Sequence, residues 1–353
     1  MKNEVVEILE KITLAHGAGG REMNNLLEEL IFKKLPTFMK KVEGGLGIDF
    51  PDDAAAIPTS DGKYIVVTVD AYTVNPIFFP GGDIGILAAS GTVNDVLMLG
   101  GIPIAALDTV IVEEGFEIET LRKILDSMFN TFSKCGVKLI GGDFKVMPRG
   151  QLDKILISTM GMGVAEKLIV DKNLRPGDKI IVSGYIAEHG ASIYAAQRGL
   201  TPEFSELRSD VKPLVDLMIP LIEKYGDSIH SASDPTRGGL SMTLNHWAKS
   251  SNTLIIIEEE KIPIRESVAS YCEILGLDPL TLASEGVVVL GVEGEKADEI
   301  LEDVHSLGYT EAQIIGEVRE KERRELSLVV MKTSIGGYRI IEPPVGEIVP
   351  RIC

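Results

Sequence analysis

A chain of 353 residues, 44% hydrophobic and 25% charged, is globular and longer than one core usually holds, so two domains are expected. A formal net charge of −18 with no basic cluster argues against nucleic acid or an anionic membrane as the main partner. There is no basic-then-apolar leader, no apolar run long enough to span a bilayer, and no metal or disulfide spacing among Cys135, Cys272 and Cys353. The expected location is the cytoplasm.

Residues 1–40 form the first unit. Gly17-Ala18-Gly19-Gly20-Arg21 stands between a short apolar run and a helical stretch that reaches Phe32. Glycines such as Gly19 and Gly20 in that position present backbone N–H groups to an anion, or simply make a turn. Beyond a flexible stretch from Lys40 to Gly47, Asp52 and Asp53 lie side by side among small apolar residues, either as a capped turn or as metal ligands. The β-branched run Tyr64 to Val69 predicts a buried strand ending at Asp70, and carboxylates at strand exits are where α/β sheets gather ligands.

After a loop rich in Pro and Gly, Asp83 is placed to cap the next helix. On that helix Ile84, Leu87, Ala88, Gly91, Asp95 and Met98 share one face, with Asn94 at its edge. A carboxylate on an apolar stripe is costly unless it is paired or binds a cation, so Asp95 is the strongest indication of a metal site. A strand from Ile104 to Val112, a helix from Glu117 to Cys135, and strands from Val137 to Ile140 and Ile155 to Val164 complete an α/β domain over 41–166. The strand from Val137 to Ile140 is expected to stop at Gly141-Gly142-Asp143, with Lys145 two residues on. Oxygen ligands without His or Cys favour Mg²⁺, which is usually held by few carboxylates together with substrate phosphates. No Gly-x-x-x-x-Gly-Lys-Ser/Thr loop is present.

A second, larger α/β domain is expected over 167–341. Strands are predicted at Lys179 to Val182, Leu254 to Ile257, Val287 to Gly291 and near Ile314 and Ser327, and helices at Glu188 to Arg198, Pro213 to Tyr225 and Glu295 to Ser306. Asp234-Pro235-Thr236-Arg237-Gly238-Gly239 punctuates a strand-to-helix turn, and Glu285 is isolated among apolar neighbours, as an exposed turn carboxylate or as a catalytic one. From Glu342 the prolines Pro343 and Pro344 predict an extended, flexible arm over 342–353, about 40 Å if fully stretched, that ends in the thiol of Cys353.

Taken together, Ala15-His16-Gly17-Ala18-Gly19-Gly20-Arg21, the loop Phe78 to Gly85, Gly91-Thr92-Val93-Asn94-Asp95, Gly142-Asp143-Phe144-Lys145, Asp234 to Gly239 and the terminal Pro350-Arg351-Ile352-Cys353 resemble the HypE family of hydrogenase maturation proteins. That family is similar to aminoimidazole ribonucleotide synthetase and selenophosphate synthetase. The resemblance implies a two-domain PurM-like α/β fold, a homodimer paired through the N-terminal domain, and ATP with Mg²⁺ in the cleft. It implies that the carbamoyltransferase HypF places a carbamoyl group on Cys353, that ATP-dependent dehydration converts it to S-cyano for the iron of [NiFe]-hydrogenase, and that the product passes to HypC-HypD. Under it, Asp53, Asp70, Asp95, Asp143 and Asp234 hold metal and triphosphate with support from Asp52, Asn94, Gly19 and Gly20. Lys145 steadies the transferring phosphoryl group, and Glu285 is the base with Asp83 the second choice. Two rival readings are a small-molecule kinase or synthetase of the same superfamily and a non-catalytic carrier that presents Cys353.

Overall fold

The computed structural model describes residues 11–200, 206–321 and 328–346. In chain order the elements of the first half are α1 (Arg21–Leu27), β1 (Ala55–Pro58), β2 (Tyr64–Tyr72), the two-residue pair β3 (Phe78–Phe79) and β4 (Gly82–Asp83), α2 (Ile84–Met98), β5 (Ile102–Glu113), α3 (Ile118–Lys134), β6 (Lys138–Met147) and β7 (Ile155–Ala165). The second half contains β8 (Lys179–Val182), α4 (Glu188–Gln197), α5 (Val215–Tyr225), β9 (Ile229–Ser233), α6 (Gly239–Ser251), β10 (Leu254–Glu258), α7 (Glu266–Leu275), β11 (Val289–Val292), α8 (Ala297–Ser306), β12 (Gln313–Arg319), β13 (Val329–Lys332) and β14 (Tyr338–Ile340).

The first sheet has the order β1-β2-β7-β5-β6, antiparallel except for the parallel β5–β6 edge pair. Strand β7 alternates buried and half-buried residues along its whole length, as a strand covered more heavily on one face does. Helices α2 and α3 supply that cover. The opposite face leaves Ile65, Val69, Ile104 and Ile140 exposed, an unusually apolar surface for a lone domain, while Phe144 and Val146, in register with the buried Val110 and Val112, are exposed on the helix side of the edge strand. The second sheet runs β14-β13-β10-β12-β8-β11-β9, and its β9 and β11 ends deliver the loops that carry Asp234 and Glu285.

Three expectations are corrected. Helix α2 has no exposed face: Ser90, Thr92 and Asn94 are as buried as its leucines, because the sheet, α3 and α5 of the second domain enclose it. Asn94 is therefore in the core and not at an edge. Strand β2 continues past Asp70 to Tyr72. Strand β6 does not stop at Gly141 but pairs in parallel with β5 through Met147, so Asp143 lies in mid-strand. The two glycines there read as a turn, yet Gly142 packs against Asp108 of β5 where a side chain would collide.

Candidate active site

The cavity between the two sheets is lined by Asp70, Ala71, Tyr72, Gly91, Asp95, Asp234, Thr236, Arg237 and Glu285. Each carboxylate comes from a different element: Asp70 from the end of β2, Asp95 from α2, Asp234 from the residue after β9, and Glu285 from the turn before β11. Ser284 N donates to Pro235 O at 3.0 Å, which ties the Asp234 loop to the Glu285 turn. Asp95, Asp234 and Glu285 are 9%, 5% and 1% exposed, too buried for water to neutralise their charge.

The electrostatics follow from that crowding. Burial first, and then the charges of Asp70, Asp234 and Asp53, push the Asp95 carboxyl well up, while the Thr68 hydroxyl bond at 2.8 Å partly offsets this. Glu285 is raised well above the usual range by burial and then by Asp234, Asp210 and Asp70. Burial brings Asp234 to about 7. Asp70 is raised by burial and held back by Arg237, whose guanidinium lies 3.9 Å from Asp70 Oδ1.

Behind the lining, Asp53 is pushed well up by burial and then by Asp234 and Asp52, and burial carries Asp52 to about 7 although Asp52 accepts from Asp53 N at 3.0 Å and Asp171 N at 3.2 Å. Asp53 Oδ2, Asp234 Oδ2 and Glu285 Oε1 are buried with no hydrogen-bond partner. Orphaned carboxylate oxygens held against mutual repulsion fit a divalent cation. Among the described residues no three such groups stand at metal-ligand spacing in advance. That suits an ion held jointly with phosphates better than a closed protein cage.

Asp53, Asp70, Asp95, Asp234 and Glu285 are thus in or directly behind one cavity, with Asp52 supporting from behind. Other predicted site residues stand elsewhere. Asp143 and Lys145 are on β6, paired with each other at 2.8 Å, with more than half of each side chain exposed, and neither lines the cavity. Asp83 accepts from Gly85 N at 2.7 Å, Ile86 N at 3.1 Å and Ser127 Oγ at 2.5 Å, so it caps α2 as expected, and it does not line the cavity. The Asn94 amide is taken up by Lys212 O and Leu214 N. Gly19 packs directly on Arg237, and a Cβ on Gly20 would stand 2.9 Å from Pro344 O, so both glycines are closely covered.

Part of the arm is seated as well. Ser241 Oγ donates to Glu342 O at 2.7 Å, Pro344 is buried, and Gly346 N donates to the Glu22 carboxylate at 3.2 Å. Cys353 lies outside the described residues. Two residues of the region went unassigned in the sequence. Arg237 stands in a quoted motif and supplies the positive charge in the cavity lining. Asp171, 3% exposed and raised by burial and by Asp52 and Asp53, follows the apolar run Leu168-Ile169-Val170, a signal of the same kind as that of Asp70.

Family comparison agrees with this architecture. Residues 51–165 match the N-terminal domain model of AIR synthase related proteins, and 175–329 match the C-terminal domain model. The carbamoyl dehydratase HypE of Rhizobium leguminosarum bv. viciae is 40% identical over 348 residues, covering 97% of this chain and 95% of that protein. The chain belongs to the HypE family of AIR synthase related proteins. A further relative in sequence is a hydrogenase expression/formation protein of Methanocaldococcus jannaschii, 46% identical over 97% of this chain and 100% of its own length. Among solved structures, a HypE-HypF complex aligns with TM-score 0.81 and 40% identity, covering 90% of this chain and 99% of the other. HypE in complex with ATP aligns with TM-score 0.78 and 36% identity, covering 97% and 100%.

Proposed function

We propose that this chain is an ATP-dependent carbamoyl dehydratase that converts an S-carbamoyl group on Cys353 to S-cyano, for the cyanide ligands of [NiFe]-hydrogenase iron. The observation that carries the reading is the cluster of Asp53, Asp70, Asp95, Asp234 and Glu285, the last three buried and with three orphaned oxygens in the cluster, on a fold shared with an ATP-bound HypE. A pure carrier has no use for such a cluster, and a small-molecule synthetase leaves Cys353 without a role.

The chemical problem is that an amide oxygen leaves poorly. Attack of the carbamoyl oxygen on the γ-phosphoryl group of ATP makes it a phosphate ester, and loss of that phosphate with the N–H protons forms the C≡N bond, giving ADP and phosphate. Mg²⁺, when bound, offsets charge on the transferring phosphoryl group. Asp53, Asp70, Asp95 and Asp234 would hold it with the triphosphate. Glu285 accepts the nitrogen proton, because burial among other carboxylates makes its ionised form a stronger base. Arg237 faces the same space and steadies the developing phosphate. Lys145 and Asp143 would serve only from a neighbouring copy or after a rearrangement.

HypF is the carbamoyl donor and HypC-HypD the acceptor of the product under this reading. The apolar outer face of the first sheet suits a homodimer. Glu285→Gln tests the role of the base: the variant should bind ATP as the parent does and lose at least about 100-fold in dehydration, within the range typical of positioned acid–base groups. Undiminished conversion by that variant excludes Glu285 as the base.

A further inference from the structure

Residues Ser209–Leu214 lie between α4 and α5 and belong to neither sheet, yet they touch both halves of the cavity wall. Ser209 N donates to Pro80 O at 2.8 Å, in the loop that leads into α2. The Asp210 carboxylate accepts from Glu285 N at 3.1 Å and from Gly286 N at 2.9 Å, and Lys212 N returns a bond to Glu285 O at 3.3 Å. Glu285 is thereby gripped through its backbone on both sides, while its side chain stays free of hydrogen bonds at Oε1. Gly286 abuts Asp210 O so closely that a Cβ would collide, which keeps the two backbones in contact.

The other end of the same segment holds α2. Asn94 Nδ2 donates to Lys212 O at 3.2 Å, and Leu214 N donates to Asn94 Oδ1 at 2.8 Å. Asn94 is fully buried and immediately precedes Asp95. Six consecutive residues therefore hold the backbone of Glu285 and the side chain of the residue beside Asp95. These two carboxylates come from different domains.

We infer that Ser209–Leu214 is a registering strap, in which Asp210 positions Glu285 and Asn94 anchors the strap beside Asp95. The inference rests on the reading of Glu285 as the base. A positioning role predicts a loss of turnover without loss of nucleotide affinity, because an error of about 1 Å at a reacting group costs on the order of 100-fold in rate.

The test compares the full-length chain with Asp210→Asn, Asn94→Ala and the double variant, using chain carbamoylated by its transferase. Single-turnover conversion should fall about 10- to 100-fold in each single variant, ATP affinity measured by direct binding should move less than about 3-fold, and the double variant should lose little more than the worse single one. Should Asp210→Asn fail to fold, Asn94→Leu reports from the other end of the strap. Independent, multiplicative losses overturn the inference. So does a fall in ATP affinity as large as the fall in rate for Asn94→Ala, which would make Asn94 a nucleotide ligand. If the parent chain makes no S-cyano product, the dehydratase reading has failed on its own account. The strap is then judged by the melting temperatures of the variants: non-additive shifts support it and additive shifts overturn it.

Discussion

Thr68 Oγ1 donates to Asp95 Oδ2 at 2.8 Å across the interior of the first domain, and the same hydroxyl stands 3.2 Å from Asp53 O. One threonine thus links two carboxylate-bearing segments, and its bond favours the ionised form of Asp95 against burial and three acidic neighbours. Thr68→Val keeps the shape and removes the donor. The expected result is a loss of about 1–3 kcal/mol in unfolding free energy together with weaker Mg-ATP binding, as follows from leaving a buried carboxylate short of its partner. Chemical denaturation and nucleotide titration of the variant check both, and unchanged values in both would remove Thr68 from the site.

The raised carboxyls make a stability prediction with a definite sign. Asp52 and Asp234 are raised from 3.8 to about 7, so between those values the folded chain holds protons that the unfolded chain has released. Stability without divalent cations should therefore fall as pH rises from about 4 to about 7. Surface carboxylates held low by lysines, such as Asp143 and Asp303, act in the opposite direction only below their ordinary range and leave this window untouched. Melting temperatures at pH 5 and pH 8 should differ accordingly, with added Mg²⁺ and ATP raising the pH 8 value more. A metal-free protein more stable at pH 8 than at pH 5 would contradict the assignment.

The exposed outer face of the first sheet makes the dimer testable. Val69, Ile104 and Ile140 are 67%, 50% and 63% exposed on that face, an apolar patch that marks an interaction surface. Val69→Glu should shift the chain from dimer to monomer in sedimentation, leaving the secondary structure intact. A parent chain that sediments as a monomer would show that this face is not the dimer interface.

Much of the architecture was legible because the strands β2, β5, β7 and β8 are β-branched runs and α3 is strongly amphipathic. Asp95 was legible as a buried carboxylate because helical spacing set it on an apolar stripe, and it lines the cavity. Asp143 misled because Gly141-Gly142 resembles a turn, and only the pairing with β5 shows that the chain stays extended. Asn94, Asp210 and Thr68 were not legible in their roles. Each acts through a partner far away in sequence, Asn94 on Leu214, Asp210 on Glu285 and Thr68 on Asp95, and local periodicity carries no trace of such pairs. Gly19 and Gly20 read as an anion cradle or, more often for such loops, as a turn, and the structure adds a use the sequence did not suggest, a close fit against Arg237 and Pro344.

The central claim concerns Cys353, and the mass of the C-terminal peptide tests it most directly. The full chain is incubated with the carbamoyltransferase partner, carbamoyl phosphate and Mg-ATP, and the peptide is followed over time. A carbamoyl gain on Cys353 followed by loss of one water only when ATP is hydrolysed is the predicted result. A peptide that stays unmodified beside a demonstrably active partner, or that loses water without ATP, would contradict it.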